Sequence, residues 1–468
     1  MTATRPPGPA ALADAAVAAV DRERLVELCG ALVDIASPTG EEAPLARWIA
    51  GELDHLGAEG HLQPIDERQA NAWGRLRTAG PGDGPTVMLY APIDTLTTGD
   101  PAEDLPWAAE RFDGHLAPRA QRDGELVSGL GAHNPKGHAA CVLGAIEAIA
   151  ASGVPLRGEV IAAFGAGGMP TNARDVPGPG PDGAGGQGRF GRRNTGQGVG
   201  ASFLVEQGVW ADAAVIAKSG WAVAWEEVGL AWLDVTVRGR HTYVGARHRL
   251  PYRNPIDDAA TVISHLEAWF PTYARRHSSG LVEPQGIVAA VEAGWWRMAA
   301  VVPAAARLRV DLRLAPDQSP LDARRELVAA LDELRAADPG LDLDVELAVA
   351  IPGSRTDPGH WICRTAIDAW EAVAGRPHEP ITATSGATDA NILRNRGIPT
   401  VRVGLPKVHV EGTELGFAEG MNTVDADAME LLCHHLVRVA VDAASRPLDE
   451  LRGRSAPAGG APTGGARP

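Results

Sequence analysis

The chain has 468 residues, 45% of them hydrophobic, which is enough apolar mass for two or three domains with sizeable cores. Its 59 acidic against 43 basic residues leave a formal charge of −16, which argues against a nucleic-acid or anionic-membrane surface built on basic patches. Cys29, Cys141, Cys363 and Cys433 are far apart and form no CxxC pair, so they read as reduced thiols of a cytoplasmic protein and not as a disulfide frame or a sulfur metal site.

In chain order, residues 1–20 read as a flexible N-terminus whose apolar stretch is broken by Asp14. That stretch is neither a signal peptide nor a membrane span. Residues 22–36 have helical apolar spacing, and the SPTGEE turn is expected to cap a second helix over 43–56. TVMLYAPI (86–93) and GEVIAAFGAGG (158–168) are short, continuously apolar runs, as in strands covered on both faces, with a helix between them from Lys136 to Ala151. The Gly- and Pro-rich stretch between Pro170 and Gly200 reads as a surface loop in its first half. Its second half precedes a helix over 200–207 and offers backbone donors to an anion. From Gly229 to Leu347 the order becomes strand, helix, strand, strand, helix, strand, with helices at 255–268 and 320–336. WLDVTVRG and RLRVDLRL alternate apolar and polar residues there, as in a sheet with one exposed face. This is the order of a ferredoxin-like unit. The tail from Arg452 reads as disordered.

Five segments carry the chemistry: LYAPIDTL (89–96), GLGAHNPKG (129–137), FGAGGMP (164–170), DAAVIAKS (212–219) and SGATDANIL (385–393). In this order and spacing they resemble the M20 family of dinuclear-zinc amidohydrolases, which includes aminoacylases, carboxypeptidases and desuccinylases. The resemblance runs from about Leu25 to about Ala443. It implies an α/β catalytic domain, a mixed sheet flanked by helices, in two parts (21–228 and 348–451). It also implies an inserted ferredoxin-like α+β lid (229–347) through which the chain forms a homodimer.

The resemblance also shows what is missing. M20 enzymes hold two zinc ions that lower the pKa of a bridging water and polarise the scissile carbonyl, while a glutamate moves the proton. Here Pro92 stands for the first histidine, Asn134 for the bridging aspartate, Gly168 and Met169 for the two glutamates, Lys218 for the acidic ligand and Glu419 for the late histidine. Only the supporting Asp94 and the pair Lys136 and Gly137 remain. The residues exclude zinc bound in the family's manner, and no cofactor is expected. Lys218 and Glu419 are expected in the vacated cleft. There the Lys218 ammonium takes over part of the metals' charge, with Asp94, Asn134 and Glu419 moving protons or positioning; a salt bridge that merely fills the space is the alternative. His133 and His138 flank the second frame as structural residues or, less simply, as a relocated metal site.

In the lid, the frame that usually carries a histidine has Tyr243, with His241 two residues earlier; Asn254 and Arg313 match the family's lid asparagine and arginine. Together with His133, Lys136 and the loop residues Ser385, Thr388 and Asp389, they are the candidate substrate contacts. Trp221, Trp225 and Trp232, and the pair Trp295 and Trp296, line an aromatic pocket or simply pack. The leading expectation is a metal-independent hydrolase of a C–N bond in a small polar metabolite, with carboxylate-bearing substrates among the candidates. A non-catalytic metabolite binder and a lyase or condensing enzyme are the alternatives.

Overall fold

The computed structural model describes residues 7–78, 80–105, 113–171, 176–178, 188–190 and 195–455. The chain divides into two units: residues 1–225, 356–380 and 388–468, and residues 226–355 with 381–387.

The larger unit is built on a six-stranded mixed sheet in the order Glu59–Pro64, Ala70–Arg77, Glu159–Gly165, Thr86–Pro92, Ala213–Ala217, Thr400–Val403. The last four strands are parallel neighbours, and the first two join antiparallel. Parallel strands are covered on both faces, and the central strand shows this residue by residue. Val87, Leu89 and Ala91 enter one core, with Leu432, Leu436 and Val439 of the helix Ala426–Ala444 and residues of the helix His138–Ser152. Met88 and Tyr90 enter the other, with Ala201, Leu204 and Leu393. The period of two thus separates two apolar layers with no polar face between them.

The smaller unit is a four-stranded antiparallel sheet in the order Gly286–Ala293, Ala305–Leu314, Gly229–Arg238, Asp342–Ile351. The strand Gly229–Arg238 sends Leu233, Val235 and Val237 inward against the helices Pro255–His277 and Pro320–Ala337. The alternation in WLDVTVRG is this one-sided burial, and the element order is β-α-β-β-α-β as read from the sequence.

Several expectations need correction. The N-terminus contains a helix, Pro9–Val17, that buries Ala13 and Ala16, and its Asp14 pairs with Arg438 at 2.8 Å. The helix Leu448–Arg454 carries order past Arg452 by burying Leu451, while residues 456–468 lie outside the described residues. The insertion is wider than 229–347: Glu226 and Glu227 pair with Arg355 and Ser354, and residues 381–387 join it as Thr384 N donates to the Leu281 carbonyl and Glu283 N to the Thr384 carbonyl. Helix 255–268 runs on to His277, through Pro271, because Phe270, Tyr273 and Ala274 continue its buried face. In the 170–200 stretch, Val176–Gly178 pairs with Gly188–Phe190, and residues 172–175, 179–187 and 191–194, most of the expected loop, lie outside the described residues. The expected anion donors just before the helix are corrected: the amides of Gln197, Gly198, Val199 and Gly200 donate to the carbonyls of Met169, Gly167, Gly196 and Ala166. Among the described residues no helix is long and apolar enough to cross a membrane.

Candidate active site

The C-terminal ends of the parallel strands carry the site within the larger unit, where an open α/β sheet ordinarily binds ligands. Asp94, fully buried just beyond the strand Thr86–Pro92, is held from three directions. Thr39 Oγ1 donates to its Oδ2 at 2.6 Å, Gly168 N to Oδ1 at 2.7 Å and Met169 N to Oδ2 at 3.0 Å. Burial raises its pKa, while the Thr39 hydroxyl, the Lys218 charge and the two amides oppose that rise.

Lys218 follows the strand Ala213–Ala217 and is 8% exposed. Its Nζ lies 3.9 Å from Met169 Sδ, so two residues that replace metal ligands meet side by side. Burial lowers the pKa of His133, and the Lys218 charge lowers it further; burial drives His138 well below its ordinary value. Both imidazoles are therefore neutral near pH 7. The tautomers follow from their partners. His133 Nε2 faces the Pro406 carbonyl at 3.0 Å, so it carries the proton and Nδ1 is left as a basic atom without a hydrogen-bond partner. His138 Nε2 accepts from Leu405 N at 3.2 Å, so its proton is on Nδ1.

Asn134 sits at the start of the helical segment, 8% exposed, with Nδ2 3.3 Å from Met421 Sδ and Oδ1 without a hydrogen-bond partner. Asn422 ties this segment down: its Oδ1 accepts from Gly131 N at 2.7 Å and its Nδ2 donates to the Ala418 carbonyl at 2.9 Å. Asp389, buried, accepts from Tyr90 Oη at 2.6 Å, and Thr388 Oγ1 accepts from Ala390 N at 3.2 Å. Gly168 is enclosed between these groups. A Cβ there would lie 2.6 Å from Pro92 Cβ and 2.9 Å from Asp389 Oδ2, so a glutamate at that position clashes before its carboxylate is reached.

Asp94, His133, Asn134 and Lys218 are thus gathered in one region of the larger unit. Glu419 is not part of it. It is exposed on the short helix Phe417–Met421 and makes no ion pair among the described residues, because that helix turns Met421 and not Glu419 toward Asn134. Lys136 is also corrected: it is fully buried and donates to the Ile35 carbonyl at 2.7 Å, with burial bringing its pKa down to about 7. A lysine so placed cannot contact substrate.

The remaining candidates belong to the smaller unit. His241 Nδ1 lies 2.8 Å from the Val302 carbonyl, and Tyr243 is exposed. Asn254 caps the helix Pro255–His277 through Ile256 N, Arg313 pairs with Asp311 at 2.9 Å, and Ser385 Oγ accepts from Gln285 N. The tryptophans do not form one cluster. Trp221 packs on Trp370 and His435 in the larger unit, Trp232 donates to Asp311 in the smaller one, and Trp295 and Trp296 are exposed. Cys141 is a core residue: it is fully buried, and burial lifts its thiol pKa well above the ordinary value.

Sequence reasoning missed Glu42. The SPTGEE turn led to the expectation of a helix cap, but the Glu42 side chain caps nothing. Its Oε1 accepts from Gly40 N and Gly167 N, both at 2.9 Å, and its Oε2 has no hydrogen-bond partner. Burial, then the Asp94 charge, push its pKa up to about 8 against those amides. Glu42 is the protonated member of this carboxyl pair, since Asp94 has the Thr39 hydroxyl and the Lys218 charge beside it.

No protein-family model matches the chain. The uncharacterized protein YqjE of Bacillus subtilis (strain 168) is 32% identical over 114 residues, 24% of this chain and 30% of that protein. The N-formyl-4-amino-5-aminomethyl-2-methylpyrimidine deformylase of the same organism is 28% identical over 147 residues, 30% of this chain and 32% of that protein. The chain therefore matches about a third of the length of these relatives. Over the full length the comparison is structural. The YxeP protein of Bacillus subtilis, described as a dinuclear metal-binding peptidase of the M20 family, aligns with a TM-score of 0.58 at 16% identity, over 90% of this chain and 98% of that one. The chain has the fold of the M20 peptidases.

That fold implies a dinuclear metal centre, and the residues here do not fit one. Pro92 and Gly168 have no donor atom, Met169 and Asn134 supply no charge, and an ammonium stands where an acidic ligand belongs. Among the described residues no three His, Cys, Asp or Glu side chains converge on a point.

Proposed function

We propose that this chain is an M20-type hydrolase that cleaves a C–N bond of a small amide or cyclic amide without metal, the Lys218 ammonium supplying the positive charge. The observation that carries the reading is the Lys218 ammonium itself, nearly buried beside Met169 and acting electrostatically on Asp94 and His133. A fixed cation in a water-poor site stabilises the oxyanion that forms when water attacks the carbonyl. His133, neutral with a free Nδ1, takes the proton of that water and returns it to the leaving nitrogen. Asp94, held by Thr39 and the Gly168 and Met169 amides, faces the Lys218 charge, and Asn134 positions the amide. Thr388 and Asp389 form the rim from the larger unit. His241, Tyr243, Asn254, Arg313 and Ser385, all in the smaller unit, are proposed as substrate contacts of that unit, where an arginine suits a carboxylate.

The four buried, free thiols suit a reducing, cytoplasmic compartment. The smaller unit is proposed as the homodimer contact, because its edge strand Gly286–Ala293 exposes Ile287 and Val291. The test is a screen of small linear and cyclic amides in the presence of chelator. Wild type is expected to turn over at least one of them and Lys218→Met to lose that turnover. If every amide is bound and none is cleaved, a metabolite-binding role replaces the enzymatic one.

A further inference from the structure

A cleft of about 280 Å³ in the larger unit opens beside the site. Leu96, Leu116, Leu130, Phe417 and Met421 line it, with Asn134 at its wall and no charged side chain among the lining residues. Its volume is at the low end for a ligand pocket and suits a single ring or one aliphatic side chain. The polar group at its wall is poorly satisfied. Asn134 has an unpartnered Oδ1, and its Nδ2 has only the thioether of Met421, a weak acceptor. A nine-tenths buried amide with a spare acceptor and a badly matched donor is costly unless something completes it. Met421, half-buried and with three rotatable bonds, is the movable cover.

The group that completes both ends at once is another amide with N–H and C=O on the same edge. Its N–H donates to Asn134 Oδ1 and its C=O accepts from Asn134 Nδ2. Primary amides and lactams present that edge; acyclic secondary amides are trans and place the two groups on opposite sides. We propose that this cleft is a subsite for an uncharged apolar group attached to a primary or cyclic amide, which docks by displacing Met421 and pairing edge to edge with Asn134. The proposal rests on the amidase reading above and narrows it to cis-edged amides with an apolar body.

The test is binding, which needs no turnover. Benzamide and isoindolinone have the cis edge, N-methylbenzamide has a trans secondary amide, and benzoate has a charge. Calorimetry on the full-length protein is expected to rank benzamide and isoindolinone above N-methylbenzamide by about five- to tenfold, the worth of one good hydrogen bond, with benzoate weakest. Asn134→Leu should remove the ranking. Leu96→Glu, at a residue 45% exposed and so safe for folding, should weaken benzamide by tenfold or more through its charge in the cleft. Equal affinity for benzamide and N-methylbenzamide, tighter binding of benzoate, no binding of any probe, or no effect of Leu96→Glu would each overturn the proposal. Lys218→Met separates it from the amidase reading: that variant should lose turnover and keep benzamide binding.

Discussion

Glu42→Gln should make the protein more stable at high pH and leave it unchanged at low pH. Gln keeps the oxygen that accepts from Gly40 N and Gly167 N, and places its amide where Oε2 has no partner, so contacts are preserved while titration is removed. The wild-type carboxyl moves from 4.5 in the free state to about 8 in the fold because it is buried and faces Asp94. Between those values the folded state holds a proton that the unfolded state has released, so wild-type stability falls as pH rises through this window. At about 1.4 kcal/mol per pH unit, the full loss above pH 8 is at most about 5 kcal/mol. Urea unfolding at pH 5 and pH 8.5 reads it. The variant should match wild type at pH 5 and exceed it by about 2–5 kcal/mol at pH 8.5. A difference that is the same at both values would show that Glu42 does not titrate between them.

Lys136→Met carries the opposite sign. The lysine falls from 10.5 to about 7, so the fold bears a proton cost that is complete below pH 7 and relieved toward pH 10; the variant's thermal advantage should be largest at pH 6 and shrink by pH 9.5. Gly168→Glu, which restores the family's proton-shuttling residue, should destabilise the protein by about 1–3 kcal/mol through overpacking against Pro92 and should not create zinc binding, as elemental analysis would report. Val291→Arg, on the exposed edge of the smaller unit's sheet, should turn a dimer into a monomer in light scattering; an unchanged mass would place the contact elsewhere.

The strands and helices were legible because their apolar periods match their burial: TVMLYAPI alternates between two cores, and WLDVTVRG between core and solvent. Frame spacing fixes backbone position: Asp94 and Lys218 lie just past the strands Thr86–Pro92 and Ala213–Ala217, and Asn134 lies in the helical segment Ala132–Gly137. What spacing cannot give is the direction of a side chain on a short helix. Glu419 shares its frame with Met421, and one helical step decides which of them faces Asn134. Lys136 and Glu42 failed for a different reason. In sequence Lys136 reads as a substrate contact and Glu42 as part of a capping turn, and each is drawn into the core by a backbone partner distant in the chain, Ile35 and Gly167.

The most direct test of the account compares metal-stripped and zinc-supplemented protein on an amide that wild type cleaves, beside Lys218→Met. With a lysine in place of the metals, stripping should leave the rate unchanged, zinc should add nothing, and Lys218→Met should lose roughly 100- to 1,000-fold, the worth of an oxyanion-stabilising group. A rate that disappears on stripping and returns with zinc would contradict the account.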